Sequence, residues 1–358
     1  MGGMFRKTVS FRKHAERAYD IRLQESSLFI SGGNMKFRSL AVAILVLPLL
    51  GAGPVAGQQA WPSKPIHFIV PYAAGGFADI RARMIGVELA KTLGQPMVIE
   101  NKPGAGGVLG TDVVAKSAPD GYTVGMGNLA PLAVNVSLMK KLPYDPQKDL
   151  APVILLETSP LILTAGPGLS ATSVKEVIAL AKAKPGQLAF ASSGVGGAHH
   201  LSGEMLRQMS GIDIIHIAYK GGAPAATDLL AGHVPMMFEM GYAALPSIKA
   251  GKIRALAVTS TKRLSVLPDV PTMAEAGVPG FESYNWQGVI VPAGTPREIV
   301  ERLNREINAI LRQPAARNLI ASTGSEVGGG TPEAFGALIR SETEKWAKVV
   351  KQAGIRPE

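Results

Sequence analysis

The sequence contains no cysteine, which excludes disulfide staples, thiolate nucleophiles and cysteine-ligated zinc together. This says little about redox compartment, because a chain without thiols tolerates either regime. Charge is sparse as well: 18% of residues are Asp, Glu, Lys or Arg against 46% hydrophobic, the balance of a packed globule and not of a disordered chain. Beyond residue 57 no basic run exceeds two residues and none is interleaved with aromatics, so the footprint of a nucleic-acid binder is missing. Neither H-E-x-x-H nor G-x-S-x-G occurs, which leaves no zinc-protease helix and no hydrolase elbow.

What is present begins with an export pattern. Met35 to Arg38 is a short basic stretch, residues 40–50 (LAVAILVLPLL) are apolar, and residues 51–57 (GAGPVAG) are small. Basic, apolar, small is the order of a secretory signal, with cleavage expected before Gln58. The apolar run is well short of the roughly 20 residues that span a bilayer. Residues 1–34 precede this signal, are polar and show no sustained period; they read as a mis-assigned start ahead of Met35. Of the 37 Lys and Arg and 27 Asp and Glu, eight and three lie in residues 1–57, leaving 29 bases, 24 acids and a net charge of +5. A mild positive bias suits an anionic ligand.

The 358 residues allow one large or two medium domains. From residue 67 onward, short apolar strands alternate with helical periods. HFIVPY (67–72) reads as a buried strand, residues 79–92 as a helix, MVIE (97–100) as a strand, 108–116 as a short helix and 122–126 as a third strand. Residues 151–165 hold one or two strands around Ser159-Pro160, and further strands and helices alternate to residue 291. Two long amphipathic helices follow, striped by Ile299, Leu303, Ile307 and Ile310 and by Phe335, Leu338, Ile339 and Trp346. Such alternation indicates parallel βαβ units. Folding the last helices back onto the first half gives two α/β halves, two chain crossings near Thr158 and Tyr284, and a cleft between them. Ligands in open parallel sheets bind beyond the carboxyl ends of the strands.

Three glycine turns occupy such ends. PYAAGGFAD (71–79) joins a strand to a helix N-terminus, where backbone N–H groups and the helix dipole favour an anion; it is equally a tight turn with Asp79 a first-turn acid. ASSGVGGAHH (191–200) offers Ser192 and Ser193 to a carboxylate, or to its own cap. Tyr219, Lys220, Gly221 and Gly222 form the third, facing a ligand or solvent. GAGGVLG (104–110) has the wrong spacing and a preceding proline for a dinucleotide fingerprint, so no cofactor is expected. The adjacent His199 and His200 point apart on a helix, and no metal is expected. A binding cleft without chemistry, hence no enzyme, is the reading; the rival is an α/β nucleotide-dependent oxidoreductase.

HFIVPYAAGGFADIRAR, NKPGAGGVLGTDVVAKSAPDGYTVG, ASSGVGGAHHLSGEML, HIAYKGGAPAATDLLAGHVPMMF, LPDVPTMAEAGVPGFE and WQGVIVPAGTP together resemble the Bug-type extracytoplasmic receptors, the substrate-binding components of tripartite tricarboxylate transporters. The resemblance runs from about Trp61 to the C-terminus. It implies an α/β, two-lobed periplasmic-binding-protein (Venus-flytrap) fold with two crossover strands. The lobes would be residues 58–158 plus 285–358 and residues 159–284. It implies a periplasmic monomer that binds a small carboxylated metabolite and serves the membrane subunits of a transporter, or a membrane sensor kinase. The ligand carboxylate would lie between loops of both lobes. Ala73, Gly75, Gly76, Phe77 and Ala78 would form the main cradle, with Asp79 opening the helix. Ser192, Ser193, His200, Tyr219, Gly221 and Gly222 would face it. Three positions depart from the family pattern: Ala78 where a hydroxyl is frequent, Glu239-Met240 where an aspartate or asparagine is frequent, and Arg81 in the first helical turns.

Overall fold

The computed structural model describes residues 61–354 apart from Lys220; the leading segments 1–34 and 35–57, the expected cleavage point and the Lys220 side chain lie outside the described residues. The strands are β1 (Ile66–Val70), β2 (Met97–Asn101), β3 (Thr123–Asn128), β4 (Leu150–Ala165), β5 (Leu188–Ser192), β6 (Ile214–Ala218), β7 (Met236–Met240), β8 (Arg254–Val258), β9 (Tyr284–Pro292) and β10 (Glu326–Gly329). The helices between β1 and β7 are α1 (Phe77–Leu93), α2 (Val108–Ala115), α3 (Asn135–Leu138), α4 (Val174–Ala183), α5 (Ala198–Ser210) and α6 (Gly222–Ala231). After β7 come α7 (Gly241–Lys249), α8 (Arg297–Arg312), α9 (Pro314–Ala321) and α10 (Pro332–Ala353).

Strand β4 organises the molecule. From Leu150 to Pro160 it pairs antiparallel with β9, and from Leu161 to Ala165 with β7 and β8. One sheet therefore runs β2-β1-β3-β9-β4-β10, and the other β8-β4-β7-β5-β6. Pro160 stands at the changeover, where β4 exchanges one neighbour for another. A residue without an N–H is tolerated where a ladder is interrupted, and the next donor, the Leu161 N–H, is met by the Thr259 hydroxyl at 2.7 Å. The return crossing lies at Ser283-Tyr284: Ser283 donates to the Thr259 carbonyl, and Tyr284 pairs with Pro160.

Helix α8 buries Ile299, Leu303, Ile307 and Ile310 in the core it shares with α1 and β4, as a stripe spaced three and four residues apart must when it covers a sheet. Helix α10 does more than cover the first lobe. Phe335 meets Trp286 edge-on at 5.6 Å, but further along the Val349 carbonyl accepts from Gln208 on α5, so this helix touches both lobes. Among the described residues no helix is long and apolar enough to cross a membrane.

Candidate functional site

The turn between β1 and α1 is tied down by Asp79. Its Oδ2 accepts the Gly75 N–H at 2.8 Å, its Oδ1 accepts Asn101 Nδ2 at 3.0 Å, and Arg83 clamps both oxygens at 2.9 Å. The Arg83 hydrogen bond, above all, holds the Asp79 carboxyl below its ordinary value despite burial. Asp79 therefore shapes the turn. Gly75 has φ +77 with open space where a β-carbon would stand, so glycine is required there by conformation alone. Gly76, the N-cap, is extended at φ −80. Its N–H reaches only to Ala73 O at 3.4 Å. Ala73 itself is exposed.

These bonds leave only part of the expected cradle with free donors. The Gly75 N–H is taken and the Gly76 N–H leans back on Ala73. No described residue accepts from the N–H groups of Phe77, Ala78 or Asp79, the first three positions of a 17-residue helix whose N-cap side chain supplies nothing. Orphan donors at a helix start, with the dipole behind them, favour an anion. The Phe77 ring is buried and stacks on Tyr242 of α7, centroids 5.2 Å apart and planes 15° apart. Arg81 sits beneath, its guanidinium 5.3 Å from the Phe77 ring. Both Arg81 and Glu157 are almost fully buried, joined by bonds of 2.7 and 3.1 Å. Gln287 of β9 adds a bond to Glu157 at 3.0 Å.

In the second lobe the turn after β5 spends most of its polar groups on itself. The Ser192 hydroxyl donates to Gly194 O at 3.0 Å and accepts the Gly194 N–H at 3.1 Å. It also lies 2.6 Å from Nε2 of His216, which must then carry the proton. Ser192 is fully buried and has nothing left for a ligand. His200 Nδ1 accepts the Gly196 N–H at 3.1 Å, and its ring stacks on His216 with centroids 3.9 Å apart. Burial pushes His200 down to about 3 and His216 to about 4, so both are neutral props of the turn. Gly196 has φ +79, and a β-carbon there would stand 2.5 Å from Leu138 Cδ1 and 3.4 Å from Asn135 Oδ1. Only glycine lets this turn approach α3 of the other lobe.

Ser193 differs from Ser192. Its hydroxyl is half-buried and lies 2.8 Å from His199 Nδ1, while His199 Nε2 lies 3.2 Å from Glu239 Oε1 at the end of β7. Tyr219 faces sideways. Its hydroxyl donates to Asp228 Oδ2 at 2.7 Å, a bond that pushes it up to about 12. Its N–H holds Ser192 O at 3.0 Å. Gly221, at φ +121, and Gly222 open α6 without a side-chain cap. Among the described residues no three Asp, Glu or His side chains converge as a metal site.

The sequence matches the Tripartite tricarboxylate transporter family receptor model over residues 81–355. The chain belongs to this receptor family. Its members are solute-binding receptors, not enzymes, and the fold is that of periplasmic solute-binding proteins. Protein BugT of Bordetella pertussis is 41% identical over 320 residues, covering 89% of this chain and 98% of BugT. The structure of Rpa4515 from R. palustris with adipate is 38% identical with a TM-score of 0.79, covering 83% of this chain and all of that one. MatC from Rhodopseudomonas palustris, with bound malate, is 36% identical with a TM-score of 0.75, covering 81% of this chain and 99% of that one.

In this receptor the geometry sorts the expected residues. Gly75, Gly76, Phe77, Ala78 and Asp79 share one turn, and Ser193 lies on the turn whose Gly196 approaches α3. Ser192, His200 and Tyr219 are engaged within the second lobe. Tyr242, His199, Asn135 and Glu157, which touch these turns or the helix they open, were not among the expected residues. Glu157 had a signal, being an acid within a strand of apolar residues, as Arg81 was a cation among Ala78, Ala82 and Ile85.

Proposed function

We propose that this receptor is exported to the periplasm through residues 35–57 and captures a small organic carboxylate between its lobes, residues 58–158 with 285–358 and residues 159–284. The membrane subunits of a tripartite transporter would then receive the ligand. The observation that carries the carboxylate is the start of α1: three successive N–H groups without acceptors at a helix N-terminus. Relatives holding adipate and malate support the same class. Because the donors are backbone groups, they bind two anionic oxygens better than one neutral carbonyl.

Calorimetry on the mature protein tests this. A bound acid should lose about tenfold to a hundredfold in affinity for each carboxylate converted to its methyl ester or amide at the cradle, the equivalent of one charge-assisted hydrogen bond. A neutral analogue that binds within about threefold of its acid would refute the reading.

A further inference from the structure

Glu239, the penultimate residue of β7, lies beside the starts of α5 and α7, and its two carboxylate oxygens are placed differently. Oε1 accepts the Met240 N–H at 2.9 Å and lies 3.2 Å from His199 Nε2. Oε2 is fully buried, and no described residue donates to it. The residue as a whole is 3% exposed. A buried acceptor without a donor loses its water and gains nothing in return, and the loss is larger for a charged oxygen. Such an atom in a binding protein points to a partner supplied from outside.

Its surroundings place it at the cleft. His199 leads from Glu239 to Ser193 on the turn that approaches α3 of the first lobe. Tyr242, three residues after Glu239, stacks on Phe77 of the first lobe; burial pushes its hydroxyl up to about 12, and the Glu239 charge adds to the shift.

The protons of this chain of groups decide what the second lobe offers. With a neutral imidazole, His199 Nε2–H donates to Oε1 and Nδ1 accepts the Ser193 hydroxyl proton, so Ser193 presents only lone pairs. With an imidazolium, both ring nitrogens donate and the Ser193 hydroxyl is released. Neither state gives Oε2 a donor. The first lobe thus has surplus donors at the start of α1, and the second has a surplus acceptor.

We propose that Glu239 Oε2 accepts a hydrogen bond from a hydroxyl or ammonium group on the ligand, so that the preferred ligand is a hydroxy- or amino-substituted carboxylic acid. This rests on the carboxylate-receptor reading above and narrows it. Backbone N–H groups of α1 hold the carboxylate, and Glu239 selects the substituent.

Pairs of acids that differ by one substituent test it: succinate against malate and aspartate, glutarate against 2-hydroxyglutarate and glutamate, phenylacetate against mandelate. In calorimetry on the mature protein, the substituted member of the pair that fits should bind at least tenfold tighter than its parent, the worth of one hydrogen bond to a charged acceptor. Glu239→Gln should bring that ratio, measured for both members of the pair on the same variant, within about threefold. If this variant lacks a cooperative melting transition, Glu239→Asp, which keeps the charge and withdraws the oxygen by one methylene, should still reduce the ratio at least threefold. Parents that bind as tightly as their substituted partners, or a ratio that survives both substitutions, would overturn the donor inference and leave the carboxylate reading standing. Failure of every acid in the panel to bind would overturn both.

Discussion

The Phe77 and Tyr242 rings lie nearly parallel, 5.2 Å apart, and join the first turn of α1 to the first turn of α7. One belongs to the lobe that would hold the carboxylate in the proposed function and the other to the second lobe. The stack therefore joins the two beside that proposed site. An aromatic pair contributes about 0.5–1.5 kcal/mol beyond the area it buries. Phe77→Ala should weaken binding of every ligand by about twofold to tenfold. It should also change the ranking of planar against flexible acids in calorimetry, because the ring borders the cradle. If affinity and ranking both stay as in the wild type, the ring serves packing alone.

Arg81 and Glu157 predict a stability pattern. The ion pair is almost fully buried and bidentate, with Gln287 and Thr323 as further partners. Breaking such a pair from one side leaves an uncompensated charge and typically costs about 3–5 kcal/mol, whereas replacing both members by apolar groups is near neutral. Urea unfolding should show Arg81→Met destabilised by about that amount, and Arg81→Met with Glu157→Leu restored to within about 2 kcal/mol of the wild type. A double variant as unstable as the single one would mean that Gln287, left without the Glu157 carboxylate, dominates.

The stacked pair His200 and His216 gives a pH dependence of defined sign. Burial, with His216 as a second cause, holds His200 at about 3, and burial holds His216 at about 4; an unfolded histidine titrates near 6.5. As pH falls below about 6.5 the unfolded chain takes up protons that the folded chain refuses. The histidine contribution is complete above that value and is lost progressively down to about pH 3, the folded value of His200. At pH 5 the His200 contribution alone amounts to at most about 2 kcal/mol. Glu204 and Arg207 flank His200 on α5, with Glu204 Oε1 3.9 Å from its Nε2. The Asp79 contribution, from a depressed acid, is lost only below about pH 4. The melting temperature should be level from pH 7 to 8 and lower at pH 5, and His216→Gln, whose amide can still donate to Ser192, should flatten the decline. Equal melting temperatures at pH 7 and 5 would contradict this.

Much of the fold was legible because apolar runs and glycine turns alternate at the pitch of βαβ units. The long β4 was read as one strand or two because Pro160 interrupts it; the interruption is real and marks the change of partner. Helix α1 begins at Phe77, two residues before the expected start, because Gly76 caps it without a side-chain signal. Helix α7 was not foreseen, since Gly241 opens it and Pro246 lies inside it. Glycine at that start admits the Thr323 carbonyl, which would stand 2.0 Å from a β-carbon there. In the site, the three turns were visible but the direction of each polar group was not. Ser192 and Ser193 are chemically identical neighbours, and alternation along the chain sends one hydroxyl into the turn and the other to His199. Asp79 satisfies the turn that precedes it, a role that depends on where Asn101 and Arg83 come to lie. The departures in charge told more: Arg81 and Glu239, each out of keeping with its position, proved to be buried and bonded.

Strand β4 has a consequence for how the two lobes share their fate. It is an inner strand of both sheets, flanked by β9 and β10 along its first part and by β7 and β8 along its last. Neither lobe can dissolve without withdrawing from the other the backbone that its neighbours are paired to. A receptor whose two sheets share one strand is in this way denied two independent unfolding events: the lobes cannot melt separately.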